Sequence, residues 1–243
     1  NARMKLAGEL DADFVRTFGK QRNVTAHTGA YDGAYRMMAS ADIVAFDLAQ
    51  EKESLRDDYG RDPFGQGCLL ARRLVERGVR FVQLISGAYV NTNVTAWDAH
   101  DSIESNHRQH AKEVDKPITG LITDLKRRGL LDTTLVEFHS EFGRMPISQR
   151  GVGRDHNPGA MTIFMAGGGV PPGLNIGTSD DVGLNAEEQP VPVHDAHATV
   201  LHMLGLDHKR LTYRFNGRDM RLTDVAGELV PQITGTKKLS RQG

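Results

Sequence analysis

Apolar positions along this chain follow two rhythms: helical spacing, and short unbroken apolar runs. Phe64 to Arg77 shows the first. Phe64, Cys68, Ala71 and Val75 share one helical face, Leu70 and Leu74 flank it, and Gly78 follows as a natural cap. Val79 to Ile85 (VRFVQLI) shows the second and predicts a buried strand. Helix, glycine and apolar strand in succession predict an α/β unit. The pattern returns downstream. Asp101 to Arg128 predicts a long helix interrupted at Pro117 and stopped by Gly129. Leu135 to His139 predicts a second strand, and Met161 to Ala166 a third that runs into Gly167-Gly168-Gly169. Ala196 to Leu204 predicts a helix stopped by Gly205. Residues 1–60 read as helical and polar, beginning with a helical stretch from Ala2 to Phe18. Residues 206–243 are polar, with a short helix expected near Asp224 to Ile233 and a basic tail.

Composition narrows the class. Hydrophobic residues make up 39% of the 243 and charged residues 25%, which suits a folded globular chain and argues against disorder. A net charge of -1 gives no basic field to attract nucleic acid or anionic lipid. Nor does any apolar run approach the roughly 20 residues of a membrane span. The lone cysteine, Cys68, excludes an internal disulfide and reads as a core residue. Cys68 and Arg72 share the spacing of a formylglycine motif, but Leu70 fills its Pro or Ala position and the segment is an amphipathic helix. The 10 histidines, several beside acidic residues, turn attention to metals.

In open α/β sheets, functional groups collect at the carboxyl ends of strands. Four places fall there: Trp97-Asp98-Ala99-His100, His139 to Arg144, Gly153 to Pro158, and His194 to His197. Asp98, His100, Glu141, Asp155 and His156 form a mixed nitrogen and oxygen ligand set for a divalent ion, with zinc, manganese or calcium as the expected cofactor. Arg144 and Arg154 flank them and suit a bidentate grip on a phosphate or sulfate group. An Asp-His pair in a loop also arises as a plain surface hydrogen bond, so joint placement at strand ends is what carries the reading. Asp195 reads as a helix cap, and His27, His107, His110 and His208 as solvated. The triple glycine lacks a Gly-Lys-Ser/Thr ending and reads as a strand-to-loop turn.

Several segments together resemble a known family: PFGQGCLLARRLVERGVRFVQL, WDAH, AKEVDKPITGLITDLKRRGLLDTTLVEFHSEFGRMP, GRDHNPGAMTIFMAGGGV and VHDAHATVLHMLGLDHKRLTYRFNGRDMRLTDV. They are similar to DUF1501, over about residues 55–233 of one domain spanning 1–243. The resemblance implies a sulfatase-like member of the alkaline-phosphatase superfamily. The fold expected is a three-layer α/β/α sandwich holding one or two metals, here without its N-terminal part. It also implies export to the periplasm or cell envelope, and hydrolysis of sulfate or phosphate esters of small molecules or polysaccharides. Asp98 and His100 resemble that superfamily's Asp-His pair, Glu141 can stand for its strand-end Asp, and His156 matches its later His. Phe142 takes the place of a ligand His, and nothing before residue 60 resembles the nucleophile region. The chain is therefore expected to be a C-terminal portion, with Ser86 and Ser140 poor nucleophile candidates. Two other readings stand beside the hydrolase: a non-catalytic member that binds a glycan or protein in the cell envelope, and a truncated chain that self-associates through an exposed sheet edge.

Overall fold

The computed structural model describes residues 2–87, 96–148 and 151–235, with side chains from residue 5 onward. Helices α1 (Ala2–Phe18) and α2 (Arg22–Ala39) open the chain. Leu6, Leu10, Phe14 and Phe18 recur every fourth residue on α1 and are all exposed. Two 3-10 turns, Ala41–Phe46 and Leu48–Gln50, lead to α3 (Glu53–Tyr59), α4 (Pro63–Val75) and α5 (Ile103–Arg127).

The core lies among α3, α4 and α5. Leu55, Tyr59, Cys68 and Leu69 are buried together, with Leu48, Phe64 and Leu121 packed around them. Asp62 caps α4 by accepting from the Gly65 N–H at 2.9 Å, and Pro63 occupies the first turn, where no donor is missed. Gly120 lets α5 approach the Asp58 carbonyl of α3 so closely that a Cβ there would meet that carbonyl at 2.9 Å. The helix runs straight through Pro117, which is buried with its ring beside the Gly60 turn. Packing there offsets the lost donor, so the expected interruption is absent.

An ion network ties these helices together. Arg72 is fully buried, bonds Glu76 at 2.5 Å, and lies 2.8 Å from Glu51 and 3.0 Å from Asp124 in ion-pair contact. Asp124 also accepts from the Tyr59 hydroxyl at 3.1 Å and from Arg127 at 2.6 Å. Burial alone would raise the Glu51 carboxyl, but Arg72 and Arg73 outweigh it and hold the group below its ordinary range.

Beyond the helices the chain is mixed α/β with small sheets. Strand β1 (Leu135–Phe138) pairs antiparallel with β4 (Phe164–Gly167). β2 (Gly143–Arg144) pairs with β3 (His156–Asn157), and β5 (Thr178–Ser179) with β6 (Ala186–Glu188). Helix α6 (Val193–Met203) precedes the hairpin of β7 (Thr212–Phe215) and β8 (Arg218–Arg221), and α7 (Pro231–Thr234) closes the described chain. Among the described residues every sheet is two-stranded, so a three-layer sandwich is not seen.

Most predicted elements are present with shifted ends. The helix expected near Asp224 to Ile233 is confined to Pro231–Thr234, with turn and loop before it. Val79 to Ile85 forms no strand pairing among the described residues, and its Phe81 and Ile85 are 75% and 67% exposed. A strand exists only through its ladder, and this apolar run has no partner beside it. The β7–β8 hairpin was not expected. Its turn is Asn216-Gly217, both with positive φ (45° and 80°), as a tight two-residue turn requires. Gly167, Gly168 and Gly169 all have positive φ, which makes the triple glycine the expected strand-to-loop turn.

Candidate metal centre

Three short segments meet at the candidate site. The first is the Trp97 to His100 stretch. The Trp97 ring packs on His107 and His110 at the start of α5, with centroids 5.4 and 5.0 Å apart, and Asn106 bonds the Ala96 carbonyl at 2.8 Å. Ala99 is buried, so Asp98 and His100 flank an anchored residue.

The second and third segments are β2 and β3, whose register sets Arg144 opposite His156. Main-chain bonds lock the loop before β3 in place: Met145 N–H to the Asp155 carbonyl at 2.9 Å, Arg154 N–H to the Ala99 carbonyl at 3.0 Å, and Ile103 N–H to the Val152 carbonyl at 3.2 Å. Gly153 is buried where these segments cross. A Cβ there would be driven into the His100 carbonyl, so only glycine allows the approach. Asn157 is buried and bonds the Leu184 carbonyl at 2.8 Å, tying β3 to the loop before β6.

This framework gathers Asp98 Oδ1, His100 Nε2 and His156 Nε2. Asp98 Oδ1 lies 3.0 Å from His100 Nε2 and 2.9 Å from His156 Nε2, and the two nitrogens are 3.1 Å apart. Arg144 Nη2 also reaches Asp98 Oδ1, at 2.7 Å, while its Nη1 bonds the Arg154 carbonyl at 3.1 Å. The hydrogen bond from His156, then the Arg144 guanidinium, hold the Asp98 carboxyl down at about 2. The centre is open: Asp98 and His156 are exposed, and His100 is half-buried.

The donor set fits a divalent ion. An ion held at about 2.1 Å from octahedral ligands keeps adjacent donors about 3.0 Å apart. The three donor atoms lie close enough together that Asp98, His100 and His156 would be the residues to hold one divalent ion.

The other expected residues are placed differently. Glu141 is exposed and stands outside the gathered group. The Asp155 carboxylate bonds the other ring nitrogen of His100, Oδ1 to Nδ1 at 2.9 Å, and is also outside the group. The Arg154 guanidinium bonds the Gly153 carbonyl at 2.7 Å, so its main chain supports the site while its side chain turns back. Phe142 stacks on His156 with centroids 4.1 Å apart, forming a wall of the site. The Ser140 hydroxyl is engaged by the Phe142 carbonyl at 2.5 Å and the Ser86 hydroxyl by the Trp97 indole at 3.2 Å.

Among the histidines expected in solvent, His110 and His208 are buried. His110 bonds Glu113 at 3.0 Å and His208 bonds Thr223 at 2.8 Å. Asp195 is in the first turn of α6 rather than at its cap, and it accepts the Glu228 N–H at 2.8 Å.

The sequence profile of a family described as "Protein of unknown function (DUF1501)" matches residues 1–234. The chain belongs to the DUF1501 family. Comparison with characterised proteins and with solved structures gave no match. The DUF1501 match reaches back through α1 and α2, beyond the segment from residue 55 that carried the resemblance, so the N-terminal helices are part of the family's sequence pattern. All three gathered donors fall inside the DUF1501 match.

Proposed function

We propose that this chain carries a divalent-metal centre of a sulfatase-like hydrolase acting on sulfate or phosphate esters. The observation that carries the reading is the convergence of Asp98 and His100 with His156, more than fifty residues further along the chain, on one triangle of donor atoms. A bound zinc, manganese or calcium ion would polarise an ester oxygen or lower the pKa of a bound water. The chain's own residues then have distinct tasks. Asp98 supplies negative charge, the two imidazoles supply neutral nitrogen ligands, and Arg144 offers a guanidinium beside them to neutralise an oxyanion. The open surface leaves room for a bulky or polymeric ester, and an alkaline-phosphatase-like sandwich in an exported protein is the setting proposed for it.

The test is hydrolysis of generic aryl sulfate and aryl phosphate esters with added Zn²⁺, Mn²⁺ or Ca²⁺. Metal-dependent turnover that a chelator abolishes supports the reading. Metal binding without turnover on either ester would favour a non-catalytic binding protein of the cell envelope. Phe142 standing where the superfamily has a ligand His is the observation that favours this second reading.

A further inference from the structure

We infer that Asp155 is a positioning residue, holding His100 in the tautomer and ring orientation that aim its Nε2 at the metal. The inference rests on the metal reading above. Asp155 directly precedes His156, and both were candidate ligands on chemistry alone. The structure separates them: His156 Nε2 joins the triangle, while Asp155 Oδ1 sits 2.9 Å from His100 Nδ1.

A carboxylate carries no proton to give at neutral pH, so Nδ1 must donate. In a neutral imidazole the other nitrogen, Nε2, then presents a lone pair. That lone pair faces Asp98 Oδ1 at 3.0 Å and His156 Nε2 at 3.1 Å. Asp98 Oδ1 is also met by His156 Nε2 at 2.9 Å and by Arg144 Nη2 at 2.7 Å. A bound cation would take the place of the proton that now joins an imidazole to this oxygen. Carboxylate–histidine–metal relays of this kind set the tautomer and raise the basicity of the ligand nitrogen.

The surroundings hold Asp155 to this task. Its carbonyl accepts the Met145 N–H at 2.9 Å, and the preceding Arg154 N–H is fixed to Ala99 at 3.0 Å, so both main-chain ends of the loop are pinned. The same Ala99 lies between Asp98 and His100, which couples the positioning group and the ligands through one short framework.

The experiment compares the native chain with Asp155→Asn, Asp155→Ala and Asp155→Glu. It reads Zn²⁺ affinity by chelator competition, the visible spectrum of the Co²⁺ form, and the melting temperature in excess chelator. Asp155→Asn and Asp155→Ala are expected to weaken Zn²⁺ binding about 10- to 100-fold and to change the Co²⁺ bands, with melting in chelator unaltered. Asp155→Glu should recover part of the affinity. Native Zn²⁺ affinity in Asp155→Asn and Asp155→Ala overturns the positioning role and leaves the metal reading standing. Affinity that falls only in step with melting temperature, with Asp155→Glu no better than Asp155→Ala, also overturns it. If the native chain binds none of the ions, the metal reading itself fails and this inference falls with it.

Discussion

At the scale of single residues, Gly153 places the sharpest demand on the site. A methyl group there collides with the backbone at His100 and Asp101, groups that cannot swing aside as a side-chain tip would. Gly153→Ala is expected to cost about 1–3 kcal/mol of stability and to weaken metal binding at least tenfold, by parting the loop of His156 from the segment of His100. Chemical denaturation and chelator competition on one sample measure both. Cys68 makes a prediction about pH. Burial pushes its thiol from 9.0 up to about 12, with the nearby Asp62 adding to the shift. A raised value means that the fold favours the protonated form. The Cys68 contribution is therefore complete below about pH 9 and is lost as pH climbs toward 12. Burial also raises the Tyr59 phenol, with Asp124 beside it acting in the same direction, so both groups weaken the helical core in alkali. Alkylation of Cys68 should be slow in the native chain and accelerate as alkaline unfolding sets in, which mass spectrometry can follow. Asp98, His100 and His156 were legible in the sequence as ligand residue types, but not by the strand-end rule: Val79 to Ile85 forms no strand among the described residues, and His156 lies within β3. The separation of Asp155 from the ligand set was not legible. It depends on which ring nitrogen the carboxylate meets, and spacing carries no trace of that. The burial of His110 and His208 was likewise hidden, since their surroundings come from distant parts of the chain.

At the scale of elements, helices were legible and sheet pairings were not. Periodicity, caps and glycine stops are local signals, and they located α4, α5 and α6 within a few residues. Strand character is a property of two segments, so the VRFVQLI run had the right composition and still forms no ladder among the described residues. The β7–β8 hairpin shows the converse. Its Asn-Gly turn was a readable signal, masked by the polar character of the residues around it. Gly217 sits at φ 80°, so Gly217→Ala is expected to destabilise the hairpin by about 1 kcal/mol, seen as earlier amide exchange in Thr212 to Arg221. The join of α4 and α5 carries a larger effect. Asp124→Ala would strip buried Arg72 of one partner and the Tyr59 hydroxyl of its acceptor. A loss of about 1–3 kcal/mol is expected, because the buried Tyr59 hydroxyl is left without its acceptor while Arg72 keeps Glu51 and Glu76. Arg72→Met together with Asp124→Leu should recover much of it, and urea denaturation of the two variants decides the point.

At the scale of the whole molecule, large apolar side chains face outward on α1 and along Val79 to Ile85. Self-association is the expected consequence, and light scattering after size exclusion should give a mass above 26.7 kDa. The mixed α/β character of the chain was readable from its alternating rhythms; the three-layer sandwich implied by the family resemblance is not seen among the described residues, where every sheet is two-stranded. The candidate metal centre draws on a local crossing of loop, strand and helix start. Calorimetric titration of the native chain with Zn²⁺, Mn²⁺ and Ca²⁺, beside Asp98→Ala and His156→Ala, tests it most directly. One ion bound per chain at micromolar or lower concentration is expected, with binding lost in both variants while their folds persist. No binding by the native chain, or equal binding by all three proteins, would contradict it.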